Sequence, residues 1–196
     1  MSYLDKVDGY VFYSKELIAI ELKLVVISVL LLLALASDLI NYKIKNSITY
    51  SFMLAGLIAN FVMEGSKGMI FSLQGIMLPA AALIILYIMR LIGAGDIKLL
   101  SAVGAVMGAG FVFYAMLYSF ICGGVIASLV ILIRRNGIER FKYLFSYIKS
   151  CIISMELLQY TDFKDMQSAG KFHFSIAIAS GTVAAFIIGG FGQRLL

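Results

Sequence analysis

From Ile97 to Ile133 the chain is apolar apart from one charge, Lys98, at its start. A helix crosses a hydrocarbon core with about 20 apolar residues. The run is therefore too long for one span and just long enough for two, and its natural break is Gly108–Ala109–Gly110. The rest of the chain agrees with a bilayer solvent. It is 62% hydrophobic and 14% charged, with a mean hydropathy of +0.99, and so has too little polar surface to clothe a soluble globule.

Four further segments qualify as spans, over residues 17–36, 48–63, 69–89 and 172–191. The expected fold is an all-α polytopic membrane protein, one domain over 1–196 with six transmembrane helices. The N-terminus carries Asp5, Asp8, Glu16 and Glu21 in place of a basic leader region, so the first apolar segment is read as a retained span. With the N-terminus outside, the inner side holds Lys43, Lys45, Arg90, Lys98, Arg134, Arg135, Arg140, Lys142, Lys149, Lys164 and Lys171. The outer side holds only Lys6, Lys15, Lys67 and Arg194. Eleven basic residues against four fix the orientation. Lys23, within the first span, is expected to pair with Glu21 or to snorkel outward. Between Asn136 and Gly170, Phe141, Leu144, Phe145, Ile148, Ile152 and Met155 recur at helical spacing. This reads as an amphipathic helix on the cytoplasmic leaflet or as a packing helix over the inner loops.

Several chemistries drop out. Cys122 and Cys151 stand far apart with no C-x-x-C spacing, His173 is the single histidine, and no metal cluster or cofactor site can be assembled. The net charge of +5 is scattered between apolar runs, which argues for membrane orientation and against nucleic-acid binding. The tyrosines fall largely near span ends, as interfacial anchors do.

The topology brings two acids level. Asp38, in "ALASDLINYKIKN", closes the first span, and Asp96, in "LIGAGDIKLL", opens the fourth; both ends face the cytoplasm. Two facing carboxyl groups cannot both ionise easily, so one proton is shared. The ionised member can then take a proton from water while the protonated one hydrogen-bonds a scissile carbonyl oxygen. Gly93 and Gly95 permit tight turns and a close substrate approach. The structural alternatives carry equal weight at this point: Asp96 as the N-cap of the fourth span, and Asp38 as a solvated carboxylate beside Lys43 and Lys45.

"GAGDIKLL" resembles the GxGDxKL motif of the type IV prepilin peptidases. "SDLINYKIKNSITY" is similar to their first motif, an Asp at a helix end followed by a basic segment and an Ile-Pro-Asn turn, here Ile44, Lys45 and Asn46. "KFHFSIAIASG" is similar to the family's last span. The resemblance implies a catalytic pair, Asp38 and Asp96, cleaving the basic leader from prepilin-like precursors (Flp-type pilin, pseudopilin or preflagellin) at the cytoplasmic face. It also implies that Gly93, Gly95, Asn46 and Lys98 shape the site, with Lys98 acting electrostatically or as a headgroup anchor. Lys45 replaces the motif proline, which suggests a less rigid loop. Length and the missing cysteine pairs imply no methyltransferase activity. The competing readings are a proton- or ion-coupled transporter built on Glu21, Asp38 and Asp96, and an assembly subunit that needs neither aspartate.

Overall fold

The computed structural model describes residues 3–133 and 174–188, and every regular element among them is a helix. In chain order these are α1 (Tyr3–Asn41), α2 (Asn46–Glu64), α3 (Ser66–Ile88), α4 (Ala94–Ile133) and α5 (Phe174–Ile188). The amphipathic segment expected over 136–170 lies outside the described residues. Four stretches, Ile18–Asn41, Asn46–Glu64, Ser66–Ile88 and Ala94–Leu129, are long and apolar enough to cross a membrane. Leu22, Val29, Leu32, Val62, Ile85 and Ile121 are among many large apolar side chains facing outward, as lipid-facing residues do. Lipid leaves no water to satisfy a backbone group, which is why the chain stays helical up to short turns.

α1 exceeds the expected first span at both ends. Hydropathy marks where lipid begins, whereas the helix itself runs until something breaks it. Asp38 consequently lies in the last turn of α1. The link from α2 to α3 is a single residue, Gly65, whose φ of 62° is a left-handed value suited to glycine.

The long apolar run breaks at Gly108, where φ is 84° and ψ 172°. The contacts require the chain to double back there. Phe174, at the start of α5, lies against Phe120 with ring centroids 6.0 Å apart, and the neighbouring Ser175 hydroxyl bonds Asp38. Asp38 shares a cavity with Asp96. A continuous helix would separate residues 96 and 120 by about 36 Å, so α4 is two arms that run in opposite directions.

The break leaves the last carbonyls of the first arm without helical donors. They are capped from neighbouring helices instead. Asn60 Nδ2 donates to Ala105 O at 3.0 Å and Val106 O at 3.3 Å, and Ser72 Oγ donates to Ala105 O at 2.8 Å. Phe71 fills the space beside Gly108, with its Cζ 2.0 Å from where a Cβ would stand.

α4 forms the centre of the bundle. Leu99, Leu100 and Val103 of its first arm and Val112 and Ala115 of its second are buried with Leu30 and Ala34 of α1 and Ile178 of α5. α3 meets the first arm backbone to backbone. A Cβ on Gly75 would stand 2.0 Å from Gly104 O, and one on Gly104 would stand 2.1 Å from Gly75 O. Such contacts depend on small residues, since lipid tails supply no hydrophobic drive between helices.

Candidate active site

The last turn of α1 carries Ser37 and Asp38, both buried. Ser37 shapes the chain that follows: its hydroxyl donates to Lys43 O at 2.9 Å and accepts the Lys45 amide at 3.3 Å. The turn bends at Tyr42, whose φ is 52° and whose amide donates to Asp38 O at 2.8 Å. α2 then begins at Asn46.

The second segment arrives from α3. Its turn is made at Arg90, with φ 58°, and not at Gly93 or Gly95, neither of which has a positive φ. The tight-turn freedom expected of those two glycines is unused; what matters at Gly93 is space. A Cβ there would stand 3.1 Å from Asp96 Oδ2, whereas a Cβ on Gly95 would make ordinary contact with Ile44 at 3.5 Å.

α4 starts at Ala94, so Asp96 sits inside its first turn and is not the N-cap that the sequence allowed. Its carboxylate takes a backbone hydrogen bond from Gly93, the reciprocal arm of a capping box. Asp96 thus serves the helix end and still faces outward into a cavity.

That cavity, of about 550 Å³, is lined by Asp38 and Asp96 together with Lys43, Ile44, Lys45 and Asn46. The two acids lie close enough to feel each other's charge. The Lys98 ammonium donates to Asn46 Oδ1 at 3.0 Å and lies 5.0 Å from the centre of the Tyr50 ring, both electrostatic contacts. It joins the two motif segments.

Sequence reasoning missed Ser37, Tyr50 and Ser175. Ser175, fully buried in the first turn of α5, donates to Asp38 Oδ2 at 2.5 Å. It stands within the quoted "KFHFSIAIASG", but nothing in that string distinguishes it from Ser180. Among the described residues no three His, Cys, Asp or Glu side chains gather to hold a metal ion.

Glu21 does not join the pair. It is exposed and stands 17 residues before Asp38, about 26 Å along α1. Lys23 lies over the Phe71 ring, 5.4 Å from its centre and within reach of the charge of Glu64.

Fold and site together define a helical membrane protein in which two acids from separate segments share one cavity. Residues 25–128, which include both acids, match the type IV leader peptidase family, and the chain belongs to that family. It is a leader-peptidase-type protease. No curated protein and no solved structure matches it.

Proposed function

We propose that this protein is an integral-membrane aspartic endopeptidase that removes the leader from type IV prepilin-like precursors at the cytoplasmic face. The observation that carries the reading is the shared cavity of Asp38 and Asp96. Each acid lies in its own motif, and the two motifs are tied together by Lys98 and Asn46.

The chemistry follows from one proton shared by two carboxyl groups. The ionised member removes a proton from a water molecule, whose oxygen attacks the scissile carbonyl carbon. The protonated member gives its proton to the carbonyl oxygen, which yields a neutral tetrahedral diol. Collapse breaks the C–N bond as a proton passes to the departing amine, and the pair returns to its single-proton state. No cofactor enters these steps.

The distribution of basic residues supports an outside N-terminus and a cytoplasmic site. Six spans follow if the two arms of α4 and the last apolar segment each cross the bilayer, with 136–170 on the cytoplasmic leaflet. Cys122 and Cys151 form no C-x-x-C pair, which supports peptidase action without methyl transfer. The proposed substrate classes are Flp-type pilins, pseudopilins and preflagellins.

The test is direct. The protein in lipid vesicles is given a precursor with a basic leader ahead of an apolar helix, and the products are weighed by mass spectrometry. One cut on the leader side of the apolar helix is expected; an intact precursor, or cuts scattered through the chain, contradicts the reading.

A further inference from the structure

We propose that the groove between α1 and α2 around Ala59 and Asn60 is an exosite for the precursor's apolar helix, about 22 Å from the aspartates along the bundle. The inference rests on the leader-peptidase reading above and adds where the part of the substrate beyond the cut is held.

The groove has a volume of about 170 Å³. α1 lines it with Leu22 and Val26, one helical turn apart, and α2 with Ala55, Ala59 and Met63, each one turn after the last. Each helix thus turns one face to the groove, and the small residues of α2 leave the space. Leu22 and Met63 are exposed, so the groove is open toward lipid.

The same two helices border the aspartate cavity, through Asp38 of α1 and Asn46 of α2. From cavity to groove is 15 residues along α1, Asp38 back to Lys23, and 14 along α2, Asn46 on to Asn60. At the rise of a helix both stretches span about 21–22 Å, so Lys23 and Asn60 stand level. The apolar helix of a bound precursor begins beside the cavity. Laid along α1 and α2, it brings the residue about 14 positions past the cut to the groove.

Asn60 decides between a helix and a lipid tail as the occupant. It lines the groove and is 1% exposed, and its Oδ1 finds no donor among the described residues. Its Nδ2 is already committed to Ser72 Oγ, Ala105 O and Val106 O. A buried acceptor is costly to leave without a donor, and a hydrocarbon tail has none to give. A serine or threonine on an otherwise aliphatic helix face supplies one. Nor is an anionic headgroup called for. Lys23, the cation that lines the groove, lies 5.4 Å from the centre of the Phe71 ring and within reach of the charge of Glu64. The occupant is therefore an apolar helix with one hydroxyl side chain at this depth.

Two substrates separate the exosite from the aspartates: a precursor with a basic leader ahead of an apolar helix, and a peptide with the same leader and cut site that stops before the helix. Both are given to the full-length protein in lipid vesicles. Ala59→Leu fills the groove and should raise KM for the full precursor about tenfold with kcat unchanged, as loss of uniform binding does. Cleavage of the short peptide should stay at the wild-type level. Ala55→Leu, on the same face, should act alike, and the folded fraction of each variant is taken from thermal melting. In parallel, the wild-type protein receives precursors in which a single threonine replaces valine at successive positions from about 11 to 18 past the cut. KM should pass through a minimum roughly fivefold deep within that window.

A KM for the full precursor that neither folded leucine variant changes overturns the exosite, and points to a lipid tail or a second copy in the groove. An equal loss on both substrates overturns it too, as does a KM indifferent to the position of the threonine. If neither leucine variant folds, the threonine series on the wild type decides alone. Failure of the underlying reading looks different: the wild-type protein would then cut neither substrate, and the exosite would fall with it.

Discussion

The Lys98 ammonium on α4 donates a 3.0 Å hydrogen bond to Asn46 Oδ1 at the start of α2, so the segment carrying Asp96 and the turn that follows Asp38 are held as one unit. Tyr50, one turn further along α2, keeps the lysine in place through its ring face. Lys98→Met should lower kcat/KM by about tenfold while the protein still inserts and folds, because an exposed bond of this kind contributes only about 1 kcal/mol to stability. Asn46→Ala should give a similar loss. The double variant should be little worse than either single one, since both remove the same contact. Kinetics on the four proteins check this; fully additive losses would mean that the two residues act separately.

The two glycines before Asp96 should respond differently to the same change. Gly93→Ala places a methyl group 3.1 Å from Asp96 Oδ2 and so displaces the carboxylate. A loss of tenfold or more in kcat is expected, given how steeply rate depends on sub-ångström placement. Gly95→Ala meets only the Ile44 side chain at 3.5 Å, and alanine favours the helix that Gly95 already occupies. Near-normal activity is expected there. Parallel cleavage assays compare the pair.

Lys45 has φ −65°, the value a proline ring imposes. Its amide makes a 3.3 Å bond to Ser37 Oγ, which a proline would forfeit. The gain in rigidity and the loss of one long bond oppose each other, so Lys45→Pro should keep activity within about tenfold of the parent. Complete loss would mean that the lysine side chain itself contacts substrate or the aspartates.

Gly104→Ala tests the bundle rather than the chemistry. The added methyl would stand 2.1 Å from Gly75 O, and a backbone atom cannot rotate away. Overpacking of this sort costs about 1–3 kcal/mol or more, so thermal melting in detergent should show a clear drop. Gly110→Ala, with nothing within 4 Å, serves as the control and should melt like the parent.

The reversal at Gly108 was legible because length forbids one span and glycine marks where φ can turn positive. The convergence of Asp38 and Asp96 was legible too, because the parity of the spans sets which ends share a face. Helix rotation was not. In lipid every face of a helix can be apolar, so the pattern that would aim a residue inward in a soluble bundle is missing. Hence Asn60 and Ser72 as caps for the α4 break, the Gly75–Gly104 contact, and Ser37 and Ser175 around Asp38 appear only with the coordinates. Serine within a helix is too common to signal a role. Of the two uses expected of the motif glycines, clearance is what Gly93 supplies, whereas the turn falls on Arg90.

The central claim is that Asp38 and Asp96 act as one hydrolytic pair, and the rate of precursor cleavage by Asp38→Asn and Asp96→Asn proteins in lipid vesicles tests it most directly. Each variant replaces one carboxylate oxygen with an amide nitrogen of like size, so insertion and melting temperature should stay close to the parent. Each should lose cleavage to background, because neither can share a proton with its partner. Wild-type cleavage by either folded variant would contradict the account.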